Sequence, residues 1–464
     1  MINYELKIKI LYYRGVYDLS IKGLIKKFRT NFSEQHLRRK AYECGFCKRH
    51  SKFSPLMFFD SLLYDATSVD TKSYNQIAVE VKSTHGVDIS GQGIDQRFNT
   101  GAQKYIQELL GEQLSYQVSQ SIDTGWTLHF NRVIIKDSTK FDLPASLKDI
   151  LPGFGGCASK AGVGIQYEFD VKAGEVNDLS IHPANRPDNK DAMQSIDLVK
   201  KGDLTIRDLG YFVPDYYKRI EKEGAFFLSR LNTQVLVYHE KEGKVQELDF
   251  AKLYQEMKSG NLKRLDMRVY IGEEKFPVRL LIELMPDEVV ATRMERINRY
   301  NKKKGRQTGE AYKERSKFNL FITNISDEML DGEAIAKIYR MRWQVELIFK
   351  TWKSIFGMDN IRQMKYNRLI CLLSARLLLI LINWEMFMIE RAYQYKQTGK
   401  LLSIHKCLQT LKDNSAKLRS VLISGCIGLK KWFKWIKETL GSKHWLEKKK
   451  NRLGFEEIMC LNIL

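Results

Sequence analysis

The chain has 464 residues, 44% hydrophobic, 28% charged and 11% aromatic, which is too long for one ordinary domain and too apolar for a disordered or fibrous chain. Lys and Arg (76) outnumber Asp and Glu (55), and the resulting net charge of +21 favours a polyanionic partner, nucleic acid before an anionic membrane surface. Seven cysteines without regular pairing point to reduced thiols in a cytoplasmic setting and away from a disulfide scaffold.

The opening MINYELKIKI alternates charged and apolar residues and is not expected to be a signal peptide. Residues 1–120 carry apolar positions at spacings of three and four and are expected to be helical. Within them, 73–81 and 91–99 are predicted helices around a turn at Gly86, with Ser90 capping the second, which exposes Gln92, Gln96 and Arg97. A helix-turn-helix over 73–99 fits this pattern, and so does a plain two-helix corner. Cys44 and Cys47, with His36 and His50 nearby, do not match a common zinc-finger spacing.

From 125 to 212 the period changes to strands. RVIIKDST (132–139) is a short apolar run ending in Asp137, and GIQYEFDVKAG followed by VNDLSIHPA is a predicted hairpin. DNKDAMQSIDLVKK (188–201) is expected to be helical, and DLTIRDLGYF is a further strand ending in Asp208. Residues 213–316 hold a helix and several strands, then a basic stretch with Arg293, Arg296, Arg299, Lys302, Lys303 and Lys304. A basic helix face and loop of this kind suits duplex DNA, although a merely soluble surface has the same composition. FNLFITNI (318–325) is a strand, 333–357 is predicted to be one long helix, and the rest is helical and basic. The most apolar segment, 369–389, contains Arg376 and Glu385 and is expected to be a buried core helix, with no membrane span.

On the 333–357 helix, Tyr339, Arg342, Glu346, Lys350 and Lys353 share one sector about 80° wide at 100° per residue. Ile338, Met341, Val345, Ile348, Phe349 and Trp352 fall on another, the expected core face. Taken alone, Glu346 and Lys350 form an ordinary i,i+4 pair. Asp137 and Asp208 at strand ends add two carboxylates at the rim of a sheet, where oxygen-only ligation suits Mg²⁺.

The spacing Tyr339–two–Arg342–three–Glu346–six–Lys353 resembles the Y-R-E-K signature of bacterial insertion-sequence transposases of the insertion-sequence-four family. Asp137 in KDST and Asp208 in IRDLGYF match the first and second catalytic aspartates of that family, and the resemblance runs from about residue 125 to 385. It implies an α/β multidomain chain. An RNase H-like mixed-sheet catalytic core (125–212 and 317–385) would be interrupted by a mostly β insertion (213–316) and flanked by a helical DNA-binding region (1–120) and a helical C-terminal region (386–464). It further implies that Asp137, Asp208 and Glu346 are catalytic and bind two Mg²⁺ ions, with Mn²⁺ as a substitute. Tyr339, Arg342, Lys350 and Lys353 would hold phosphates around a hairpin intermediate. The expected partners are double-stranded DNA (transposon ends and target) and a second copy of the chain as a homodimer on DNA, without a small-molecule cofactor, in the bacterial cytoplasm at the nucleoid. Some relatives stack an insertion tryptophan on a flipped base; here no Trp lies between Trp126 and Trp343, leaving Phe318 or Tyr300 as substitutes. A non-joining RNase H-like nuclease and a catalytically silent DNA-binding regulator are the alternatives.

Overall fold

The computed structural model describes residues 2–49, 51–64, 71–119, 122–123, 125–423, 426–447 and 458. The chain divides into two compact units. The first comprises Met1–Ile122, Thr139–Asn185 and Val345–Glu456, and the second comprises Asp123–Ser138, Arg186–Gln344 and Glu457–Leu464. Among the described residues the strands are β1 (Val133–Leu143), β2 (Ala161–Asp170), β3 (Val176–Pro183), β4 (Leu204–Arg207), β5 (Phe226–Arg230), β6 (Val237–Lys241), β7 (Lys244–Glu247), β8 (Arg264–Ile271), β9 (Phe276–Leu284) and β10 (Phe318–Thr323). One strand, β1, contributes residues to both units.

In the first unit, helix Tyr366–Thr398 is the centrepiece. It packs against helices Ile2–Asn31, Pro55–Leu63, Thr100–Ser115, Ile404–Asp413 and Cys426–Lys443, and it is long and apolar enough to cross a membrane, yet buried within the fold. Its charges are answered internally: Arg376 Nη1 donates to the Gly357 carbonyl at 2.7 Å, and the Glu385 carboxylate accepts from Lys27 Nζ at 2.9 Å, Gln113 Nε2 at 2.6 Å and Val118 N at 2.7 Å. Burying these charges is tolerable only because each finds such partners. β2 and β3 form the expected antiparallel hairpin. β2 is buried at every position, Gln166, Glu168 and Asp170 included, so both of its faces are covered and the alternation in its sequence does not mark a wet side.

The predicted two-helix element is present as Tyr74–His85 and Gly91–Arg97. Ser73 and Gln76 form a capping box, Gly86 ends the first helix at φ 69°, and Ser90 accepts from Gly93 N to start the second. The first helix runs to His85, beyond the expected turn start, because Gly86 alone supplies the left-handed stop.

In the second unit the sheet order is β1-β4-β5-β10-β9-β8-β6-β7. β1, β4 and β5 are parallel, with helix Pro214–Lys222 crossing between β4 and β5; the later pairs are antiparallel. Tyr216, Tyr217, Phe227, Leu253, Val269, Leu280, Phe318 and Ile322 belong to its core. Two expectations change here. Residues 188–201 form only a short helix, Asn189–Ala192, and a 3-10 turn, Ile196–Leu198. The long helix over 333–357 is interrupted: Gly332–Tyr339 gives way to a 3-10 turn at Arg340–Arg342 before Trp343–Phe356. A 3-10 turn winds 120° per residue instead of 100°, so the single-helix sector drawn from sequence does not hold across it.

Candidate active site

The register between β1 and β4 runs from Val133↔Leu204 to Lys136↔Arg207. Asp137 and Asp208 are the next residues on the two strands, so parallel pairing at about 4.8 Å sets both carboxylates on the same face of neighbouring strands. Asp208 keeps an extended backbone (φ −75°, ψ 163°) and starts the 3-10 turn Leu209–Tyr211. Ser138 N donates to Asp137 Oδ1 at 2.8 Å.

Between the aspartates lies Arg342. Its Nη1 is 2.9 Å from Asp137 Oδ2 and its Nε is 3.6 Å from Asp208 Oδ1. The 3-10 turn explains how one residue reaches both: Met341 is fully buried and anchors the turn, and the tighter winding swings Arg342 toward the strand ends. Tyr339 precedes the turn, is buried, and its hydroxyl has no hydrogen-bond partner among the described residues. Burial first, then the negative charge of Asp208, pushes this hydroxyl above its ordinary range, so it remains a proton donor at neutral pH.

On the opposite face, Lys136 and Arg207 are buried cations that sequence reading passed over. Arg207 donates to the Ala192 carbonyl at 3.0 Å and to Ser195 Oγ at 2.8 Å and lies 4.0 Å over the Tyr216 ring, while Lys136 Nζ is 3.3 Å from Ser195 Oγ. The signal was a cation immediately before each strand-end aspartate.

Glu346 belongs to the first unit, in the first turn of helix Trp343–Phe356. That helix is seated by Phe349 and Trp352 against Tyr167 of β2, with ring centroids at 6.2 and 4.9 Å. Ile338, Met341, Val345, Ile348, Phe349 and Trp352 are all buried, as their spacing predicts. Lys350 is exposed, and Lys353 Nζ approaches the Lys140 carbonyl at 3.5 Å.

Other expected DNA contacts divide by their present partners. Gln92 and Gln96 are exposed, whereas Arg97 donates to Ser51 Oγ at 2.8 Å and lies over the Phe53 ring. Arg296, Arg299 and Lys303 are exposed on helix Asp287–Lys304, which buries none of its residues; Arg299 pairs with Glu295 at 2.8 Å. Arg293 turns inward and donates to the carbonyls of Ser316 and Phe318 and to Asn319 Oδ1. With Arg230, Arg296, Arg315, Tyr312 and Phe318 it lines a cavity of about 290 Å³ that contains no carboxylate and borders Leu209, the residue after Asp208. Phe318 is buried in the core and Tyr300 is exposed.

Asp137 and Asp208 offer the oxygen-only donors a hard divalent cation takes, and the place where they converge already accommodates a cationic group, the Arg342 guanidinium. Among the described residues no group of three or more His, Cys, Asp and Glu side chains is gathered as a metal cage. Cys44 and Cys47 are free thiols, and His50 lies outside the described residues.

A family model described as the transposase DDE domain matches residues 128–382, a span that contains Asp137, Asp208 and Glu346. The transposase for insertion sequence element IS231F of Bacillus thuringiensis subsp. israelensis is 26% identical over 410 residues, covering 85% of this chain and 86% of the relative. That of IS231B from Bacillus thuringiensis subsp. berliner is 28% identical over 422 residues, covering 86% and 88%. A solved piggyBac transposase synaptic complex with hairpin DNA aligns at a TM-score of 0.41 and 9% identity, over 94% of this chain and 87% of that one. DDE transposases in general use divalent metal ions and act on DNA. With more than half of its length matched by that model, the chain belongs to the DDE transposases of insertion sequences, enzymes that cut DNA and transfer its strands.

Proposed function

We propose that the chain carries out cut-and-paste transposition through a hairpin intermediate, with Asp137, Asp208 and Glu346 as its catalytic carboxylates. The observation that carries this reading is the pair of aspartates brought level by the β1–β4 register and bridged by Arg342. Glu346 joins them on its motif. Two Mg²⁺ ions, when bound, would supply a lowered pKa for water and stabilisation of charge on the transferring phosphorus.

The chain's own residues do the rest. Asp137 and Asp208 present carboxylate oxygens from fixed strand ends, and Glu346 adds another from the helix. Water attacks the phosphodiester at the transposon end and releases a 3′-OH. That hydroxyl then attacks the opposite strand, displacing its oxygen and closing a hairpin; hydrolysis reopens it, and the 3′ ends are joined to target DNA. Tyr339, a protonated donor whose hydroxyl has no partner among the described residues, and Arg342 hold phosphate oxygens during hairpin closure, and Lys350 and Lys353 of helix Trp343–Phe356 add further phosphate contacts. Arg296, Arg299 and Lys303 follow the flanking duplex, and Gln92 and Gln96 face bases from the second helix of 73–99, while Arg97 positions that helix. Holding two ends together calls for a homodimer on DNA.

The test is cleavage of labelled DNA ends flanking the encoding gene, with Mg²⁺ or with EDTA, on denaturing gels. A Mg²⁺-dependent nick followed by a hairpin-sized product is expected from the wild type, and nothing from Glu346→Ala. Arg342→Ala is expected to nick while forming less hairpin; equal loss of both steps would contradict the division of roles. Specific binding without cutting in any divalent metal would make the protein a regulator.

A further inference from the structure

The two aspartate-bearing strand ends are tied together behind the carboxylates by residues that the motif does not include. Ser138 follows Asp137, and Tyr211 lies three residues after Asp208, at the end of the 3-10 turn that Asp208 starts. Ser138 Oγ donates to Asp188 Oδ1 at 2.9 Å. Its single hydroxyl proton is thus committed, and Ser138 is also paired with the Tyr211 side chain. Tyr211 is 1% exposed, and burial keeps its hydroxyl protonated, a donor throughout the neutral range. Asp188 Oδ2 lies 3.5 Å from where a Cβ on Gly210 would stand, so its carboxylate rests directly against the same turn. Asp188 is itself held in the tight bend that leads into Asn189–Ala192, where Asp191 N donates to its carbonyl at 3.0 Å. The chain Tyr211–Ser138–Asp188 therefore bridges the end of β4, the end of β1 and the bend before helix Asn189–Ala192.

We propose that Tyr211, Ser138 and Asp188 form a hydrogen-bonded relay that fixes the separation of Asp137 and Asp208, with Asp188 as a positioning residue for the strand chemistry. The proposal rests on the reading of Asp137 and Asp208 as catalytic. The relay acts at both carboxylates. Ser138 holds Asp137 Oδ1 through its backbone N–H, and Tyr211 N donates to the Asp208 carbonyl at 3.0 Å, so locking the two hydroxyls locks both backbones. Loss of groups that orient metal-binding carboxylates typically costs about 10–100-fold in metal affinity or activity, and a relay that only sets the spacing of two carboxylates acts on affinity, which excess ion recovers. The relay also accounts for the sequence context of each aspartate: the Ser in KDST and the Tyr in RDLGYF are its two hydroxyls.

The experiment titrates Mn²⁺ against nicking of a labelled transposon end, using the full chain and the variants Ser138→Ala, Tyr211→Phe, Asp188→Ala and Asp188→Asn. Melting temperature and DNA-end affinity in EDTA are measured alongside. The half-saturating Mn²⁺ concentration is expected to rise about tenfold in Ser138→Ala and Asp188→Ala, with the rate at saturating Mn²⁺ close to wild type. Asp188→Asn keeps an oxygen that accepts from Ser138 and is expected to recover most of that loss, an outcome a merely structural role would not produce. Tyr211→Phe is expected to raise the half-saturating concentration likewise, so should Asp188→Ala fail to fold, Ser138→Ala and Tyr211→Phe still decide the matter. Unchanged half-saturation in folded Ser138→Ala and Tyr211→Phe, or a loss that saturating Mn²⁺ does not restore, overturns the relay. Asp137→Asn is the control for the underlying reading. If it nicks at any Mn²⁺ concentration the catalytic assignment fails; if it is inactive while the relay variants titrate like wild type, the relay alone fails.

Discussion

Tyr339 shows how one side chain can be expensive for the fold and useful to the reaction. A buried hydroxyl without a partner costs roughly 1–3 kcal/mol of desolvation, and among the described residues this one has none. Replacing it by Phe removes the polar atom and keeps the ring, which packs on Phe321 with centroids 5.1 Å apart. Tyr339→Phe is therefore expected to melt at the same temperature as wild type or higher, while hairpin formation falls about tenfold for the loss of one phosphate hydrogen bond. Calorimetry together with the end-cleavage gel checks both halves; a marked fall in melting temperature would mean that the hydroxyl serves the fold. At this scale the sequence was informative about Asp137 and Asp208, because a carboxylate that closes an apolar run is conspicuous. It was silent about Asp188, whose contact with Ser138 spans fifty positions of chain and leaves no periodic trace. It also gave no sign of the inward bonds of Arg293 and Arg315. These sit in a run of basic residues that reads as surface, yet they donate to backbone carbonyls of Ser316, Phe318, Thr233 and Val235. Any residue can supply a carbonyl, so no side-chain pattern announces such bonds.

Between elements, helix Glu34–Glu43 is joined to helix Thr100–Ser115 through Glu112, whose carboxylate takes Lys40 Nζ at 2.9 Å and His36 Nε2 at 2.7 Å. Burial alone would raise this carboxyl; the bonds and charges of Lys40 and His36 outweigh it and hold it below its ordinary value. A carboxyl depressed in the folded state contributes stability above its unfolded pKa of about 4.3 and loses it as pH falls through the folded value. Glu112→Gln is thus expected to cost about 1 kcal/mol at pH 7. The gap to wild type should narrow as pH falls below the unfolded value of about 4.3, as read by urea titrations at each pH; a gap that does not change with pH would rule out the ionic origin. Element types were largely legible, since caps such as Ser73, Ser90 and Gly86 act locally. The break at Arg340–Arg342 was not, because 3-10 and α turns share apolar spacings of three. Likewise β2 gave a clean alternation although both its faces are covered, because Gln166, Glu168 and Asp170 are buried where polar residues ordinarily meet water.

For the whole molecule the net charge of +21 sets the character of DNA association. If binding displaces condensed counterions from about six to ten phosphates, affinity for a transposon end falls about 10³–10⁵-fold between 50 and 200 mM salt. Fluorescence anisotropy over that range checks it; a slope near zero would remove the backbone phosphates from the account. Helix Tyr366–Thr398 has a consequence of another kind, in protein synthesis. It leaves the ribosome after helices Ile2–Asn31, Pro55–Leu63 and Thr100–Ser115 but before Ile404–Asp413 and Cys426–Lys443, which share in covering it. Until they do, the cell's targeting machinery meets a stretch that satisfies the length and hydropathy of a bilayer span. Insertion would carry Arg376 and Glu385 into lipid at roughly 2.5–3.5 kcal/mol for each charge near the centre. The same two side chains that bond within the folded unit thereby bias the nascent chain toward water while it waits for its core to close.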